Sequence, residues 1–224
     1  MRRRKSKAVK RQKNTKIGPK PSHPKHLERK YNGFLRSVLS QYRDAMRQFL
    51  VPALSDIVQQ AEQTIHSDSA IIEIKYDVAD QISAIMATIK SWVNNRLPPT
   101  QQDDEIKQLA HTINQHNITQ MRRVTQSKSL PGQQSTEELI KLFVQNNQNL
   151  TESLQTRLLQ NVVSLLHAGV SRGLPKSALA ANITKQFGIA QRRAKNISRN
   201  EVGTLNGQLT KVRQQNIGVK QYVW

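Results

Sequence analysis

Apolar residues recur along most of this chain at steps of three and four, the period of helices that bury one stripe and solvate the opposite face. From Tyr31 to Leu50 the stripe is Phe34, Leu35, Val38, Leu39, Tyr42, Met46, Phe49 and Leu50. Pro52 then predicts the start of a new helix over Ala53 to Ile65, because a first turn has no use for the missing N–H. Ile74, Val78, Ile82, Ile85, Met86, Ile89 and Val93 form a second stripe, ended at Leu97-Pro98-Pro99. There the first proline disfavours helical geometry at the residue before it. A weaker stripe of Ile106, Leu109, Ile113, Met121 and Val124 precedes a loop marked by Pro131-Gly132.

Beyond that loop, Ser135 followed by Glu138 resembles a capping box opening a helix through Gln145. The amide-rich QNNQN at 145–149 reads as a helix junction. Leu154, Leu158, Val162, Leu165 and Leu166 mark the next helix, closed near Gly169 and Gly173, and Pro175 opens another. Leu179, Ile183 and Phe187 give a short stripe ended at Gly188. Ala190, Ala194, Ile197, Val202, Leu205, Leu209 and Val212 predict a last long helix stopped by Gly218, and the alternation in VKQYVW suits a terminal strand. The expected architecture is mainly α, a multi-helix protein with a disordered basic amino-terminal arm and a short terminal β-strand. Its divisions are the arm at 1–30, a helical region at 31–126, a linker at 127–134 and a module at 135–224.

Composition explains how such a protein makes a core: only 4% of residues are aromatic, so Leu, Ile, Val and Ala must supply it. The absence of cysteine excludes disulfides, thiolate metal sites and cysteine nucleophiles. The net charge of +20 is unevenly spread: residues 1 to 30 hold 13 Lys or Arg against the single Glu28, a net +12, which leaves +8 for the rest. Pro19, Pro21 and Pro24 interrupt any helix in that arm. Arg2, Arg3, Arg4, Lys5, Lys7, Lys10, Arg11, Lys13 and Lys16 suit a polyanion, since each phosphate neutralised releases a condensed counterion. The bland alternative is a solubilising tail or a host-style targeting signal. A second basic group, Arg192, Arg193, Lys195 and Arg199, opens the last helix and could hold phosphates or acidic patches, or simply be solvated.

Candidate chemistry is sparse. His111 and His116 are five apart, about 140° from sharing a helix face, so a common metal is not expected. His167, beside an apolar stripe, reads as a core histidine. Asp103, Asp104 and Glu105 complement the positive end of a starting helix, and Asp77 with Asp80 reads as a solvated face. No phosphate loop, dinucleotide fingerprint or nucleophile elbow is present. No enzyme activity and no cofactor are expected, and a packaging nuclease is the third-ranked possibility. The longest apolar runs, such as Val162 to Val170, are too interrupted to span a membrane, and the basic start lacks the apolar segment of a secretory signal.

Within Phe143 to Trp224 the order FVQNNQNL, LHAGVSRGLPKSALAANITKQFG and RRAKNISRNEVGTLNGQLTKVRQQNIGVKQYVW resembles the phage head morphogenesis family typified by the F protein of phage Mu. The correspondence lies in Gly169 and Gly173, Phe187 and Gly188, Arg193-Ala194 with Ile197, Arg199 and Glu201, Asn206, and Gly218, Tyr222 and Trp224. Glu201 is the residue expected to make a buried polar contact, and Tyr222 and Trp224 to anchor the strand. Family members continue past this strand into further sheet. The resemblance implies a non-enzymatic minor head protein present in several copies inside the virion near the portal, contacting portal or major capsid subunits. The basic arm would contact packaged double-stranded DNA, and assembly would take place in the host cytoplasm. A free DNA-binding architectural protein is the competing expectation.

Overall fold

A computed structural model describes residues 22–65, 71–126, 130 and 133–218, without the side chains at 63–65, 71–77 and 133–134. These residues form five helical rods, with no strand among them. The first is α1 (Lys25–Ala45), a π-helical turn (Met46–Leu50) and α2 (Val51–Ile65) in unbroken succession. The others are α3 (Ile71–Arg96), α4 (Pro99–Thr125), α5 (Gln133–Val170) and α6 (Lys176–Asn216). The terminal strand was expected within 219–224, which lies outside the described residues, as do the arm cations Arg2 to Lys16.

The first helix starts six residues before Tyr31, so 25–30 belong to the folded body and not to an arm. Pro24 stands at its N-cap, and its carbonyl accepts the N–H groups of Leu27 at 2.9 Å and Glu28 at 3.1 Å. Leu27 is 2% exposed and lies one turn ahead of Tyr31, continuing a stripe that the surrounding charges conceal in the sequence. Pro52 opens no new helix. A helix-interior proline lacks the N–H and crowds the carbonyl four residues back, here Gln48. The π-turn directly before it widens the backbone, with the Val51 N–H reaching back five residues to the Met46 carbonyl. The rod therefore passes the proline and keeps Met46, Leu50, Leu54 and Ile57 buried.

Two further breaks expected from the sequence are absent. The 145–149 segment runs straight through α5, which begins at Gln133 and so places Ser135 inside the helix and not at its cap. Gly188 likewise sits inside α6, because Phe187, Ala190, Ala194 and Ile197 prolong the stripe of Leu179 and Ile183 without a change of period. One interior glycine costs only about 1 kcal/mol relative to alanine, less than the burial on either side of it supplies. Breaks do occur at Leu97-Pro98, at Gln126 with its left-handed φ of 53°, and at Gly218 with φ of 82°.

Helices α5 and α6 form an antiparallel hairpin, and α1 and α4 pack against α6. A single core runs through all the rods, from Leu27 and Tyr31 through Ile82, Ile106 and Leu158 to Leu209. Residues before Gln126 and residues after Gln133 thus share one apolar interior.

Candidate functional site

Of the basic group at the start of the predicted last helix, Arg192, Lys195 and Arg199 are exposed, whereas Arg193 is half-buried and turned toward α5. Its Nη2 donates to Ser153 Oγ at 3.4 Å. Burial lowers the Arg193 pKa, and the neighbouring Arg157 guanidinium lowers it further. The four residues therefore do not make one face: three point outward and one lies over the α5 seam. Two cations that the sequence reading did not single out, Arg157 on α5 and Lys185 on α6, are exposed on the same hairpin.

The glycine pair acts in the α5–α6 turn. The Gly173 N–H donates to Val170 O at 2.9 Å and the Leu174 N–H to Gly169 O at 2.9 Å, the paired bonds of a Schellman motif with Gly173 at φ 66°. Gly169 serves close approach instead, since a Cβ there would collide with Leu179 Cδ2. Phe187 lies in the core, while Gly188 has open space around it up to Arg192 Nη1 at 4.0 Å. Tyr222 and Trp224 lie outside the described residues.

Glu201 is half-buried and meets Asn147 of α5, which in turn bonds to α1. Asn147 of α5, wholly buried, accepts a 2.6 Å hydrogen bond from Tyr31 OH of α1 and donates to Glu201 Oε2 at 3.4 Å and to Phe143 O at 2.8 Å. Desolvation raises the Tyr31 pKa far above its ordinary value, the Thr151 hydroxyl partly opposes this, and the Glu201 carboxylate adds to it. Asn206 belongs to a second buried cluster between α4 and α6. Asn117 Nδ2 donates to Asn206 Oδ1 at 3.0 Å and to Thr210 Oγ1 at 2.7 Å, while the Arg213 guanidinium donates to the side-chain oxygens of Asn114 and Asn117. Arg213 is 4% exposed, and its burial brings its pKa down to about 10. Asn117 and Asn147 occupy stripe positions that hydrophobicity alone leaves blank, so the apolar pattern does not reveal these clusters.

Other expectations change as well. His167 is exposed and not a core residue, because it falls on the outer side of the stripe made by Leu158, Val162 and Leu166. Asp103 to Glu105 lie past the first turn of α4, where Asp104 pairs with Lys107 at 3.2 Å. Gln102 Nε2 donates to Leu97 O at 2.9 Å, tying the first turn of α4 to the chain that leaves α3. His116 stacks edge-on against His26, ring centres 5.1 Å apart, and not with His111. Its pKa is lowered by burial, then by His26 and Arg123.

A cleft of about 620 Å³ opens between α1, α3, α4 and α5 beside Tyr42, Gln102 and Gln155. Its floor is a relay in which Tyr42 OH donates to Gln155 Oε1 at 3.0 Å and Gln155 Nε2 donates to Gln102 Oε1 at 2.7 Å. Burial pushes the Tyr42 phenol up to about 12, so it stays a neutral donor at physiological pH. Lys90, Asp103 and Glu152 stand at the rim. Such a wall offers hydrogen bonds to a neutral polar group but pairs no nucleophile with a base. Among the described residues no three His, Asp or Glu side chains group closely enough to hold a metal ion, and no helix is long and apolar enough to cross a membrane.

Comparison with known proteins finds an uncharacterized protein of Haemophilus influenzae that is 23% identical over 194 residues. That similarity covers 82% of this chain but 42% of the relative, so the chain spans less than half of the relative's length. No protein-family model and no solved structure matches the chain.

Proposed function

We propose that this chain is a minor head component of a tailed bacteriophage, acting by binding and not by turnover. In this reading several copies sit inside the head near the portal. The helical body contacts portal or major capsid subunits, the basic arm contacts packaged double-stranded DNA, and the protein assists head assembly and DNA packaging or delivery. The observation that carries the reading is how the residues of the family resemblance are used. Gly169, Gly173, Phe187, Glu201 and Asn206 hold α5 and α6 to each other and to α1 and α4, and none of them borders the large cleft. A sequence signature built from packing positions suits an assembly component, whose task is to present a rigid surface.

Cofractionation tests it: the protein should be retained in purified phage heads, and cryo-electron microscopy should place helical rods at the portal vertex. Absence from heads together with undiminished DNA binding by the free protein would favour a DNA-binding architectural protein, the reading that the net charge of +20 alone supports.

A further inference from the structure

Between Ser153 and Asn200 the chain holds eight Lys or Arg and no Asp or Glu, although 15 acidic residues are spread over the rest. This span is most of the α5–α6 hairpin, the part of the fold most tightly packed on itself. At 100° per residue Lys185, Arg192, Lys195 and Arg199 fall within a sector of about 80°, and the ladder they form rises about 21 Å along the helix. All four are exposed, and none forms a salt bridge among the described residues. Arg193, whose pKa is lowered by burial and then by the nearby Arg157 guanidinium, extends the positive surface toward α5 together with Arg157.

The two large hydrophobic residues exposed among those described are Leu142 on α5 and Ile189 on α6, so the ladder offers a single apolar side chain. A protein interface needs a desolvated apolar centre, whereas a polyelectrolyte needs only cations spaced along a line. The described chain also begins beside this surface. His23 Cε1 lies 3.4 Å from where a Cβ on Gly203 would sit, and His23 and Arg199 border one groove on α6. Residues 1–21 therefore join the body next to the ladder.

We infer that the outer face of α6, through Lys185, Arg192, Lys195 and Arg199, is a second duplex-DNA contact surface, independent of the arm, that grips the sugar-phosphate backbone without reading sequence. A duplex carries one negative charge per about 1.7 Å of axis, so each cation on a 21 Å ladder finds a phosphate in any register. The rigid helix sets the angle at which the duplex leaves the body.

The test is fluorescence anisotropy on a 30-base-pair duplex of mixed sequence, across a sodium chloride series. It compares the full chain, an arm variant with every Lys and Arg of residues 2–16 replaced by Gln, the ladder variant K185Q/R192Q/K195Q/R199Q, and both combined. Each lost phosphate contact removes about 0.9 from the slope of log K against log salt, so the ladder variant should lose up to about 3.6. The arm variant should keep salt-dependent binding that the combined variant lacks. An unchanged slope in the ladder variant overturns the inference. So does competition by polyglutamate that equals competition by DNA at equal charge, which would assign the face to an acidic protein surface. Should the ladder variant lose helical circular dichroism, R192Q/R199Q is read in its place, with half the loss of slope expected. The outcome does not depend on whether the protein is found in phage heads.

Discussion

Replacing Asn147 with alanine should destabilise the fold by about 2–3 kcal/mol, even though the substitution puts the best helix former into the middle of a helix. The side chain is wholly buried, its oxygen accepts the Tyr31 hydroxyl at 2.6 Å, and its amide faces Glu201. Stranding a buried hydroxyl costs about 1–3 kcal/mol. The void left by the amide adds on the order of 1 kcal/mol, and the gain in helix propensity returns up to about 0.7 kcal/mol. Tyr31→Phe alone removes one neutral hydrogen bond and should cost about 1 kcal/mol. In the double variant donor and acceptor are both gone, so its loss should fall short of the sum of the single losses by roughly 1–2 kcal/mol. Equilibrium urea denaturation followed by far-ultraviolet circular dichroism, with the four proteins sharing one m value, measures this directly. A coupling below about 0.5 kcal/mol is the additivity of unconnected sites, and it would refute the claim that Tyr31 and Asn147 tie α1 to α5.

The glycines make contrasting predictions in the same assay. Gly169→Ala should cost about 1–3 kcal/mol because the new methyl group lands on Leu179, which is buried and has little room to turn. Gly173→Ala should cost about 1–2 kcal/mol through its left-handed backbone alone. Gly188→Ala should be neutral or stabilising by up to about 1 kcal/mol, since it lies in mid-helix with open space; destabilisation would show that the helix does break there. His116 supplies a pH test. Folding favours its neutral form, so that contribution is complete above the ordinary value of 6.5 and is lost as the pH falls below it toward the lowered folded value. Stability measured at pH 7.5 and 5.5 should drop on acidification, and His116→Gln should reduce that drop; an equal drop in both proteins would remove His116 as its source.

Much of the fold is legible in the apolar period. The described stripe residues of α1, α3, α4 and α6 are buried nearly as their spacing implies, and the breaks at Pro98 and Gly218 fall where proline and glycine demand them. The expected breaks that the fold lacks share one cause, in that a local punctuation signal yields to packing. Pro52, the 145–149 amides and Gly188 each carry a real local preference of about 1–3 kcal/mol, but burial on both sides of each outweighs it. The candidate site was only partly visible: Arg192, Lys195 and Arg199 were singled out, while Lys185 and Arg157 were not, because they join the ladder only when two expected helices prove to be one and α5 folds back beside it.

The sequence by itself determined that this protein is helical, that its core is aliphatic, and that its positive charge is segregated. Those properties depend on residue type and on neighbours three and four positions away, which any helix of that sequence shares. Only the tertiary structure decided which helices are continuous and where the buried polar residues find partners. Asn147 meets Tyr31 across 116 positions and Arg213 meets Asn117 across 96. No local rule anticipates such pairs, because a buried amide is tolerable only when a distant chain segment arrives to satisfy it.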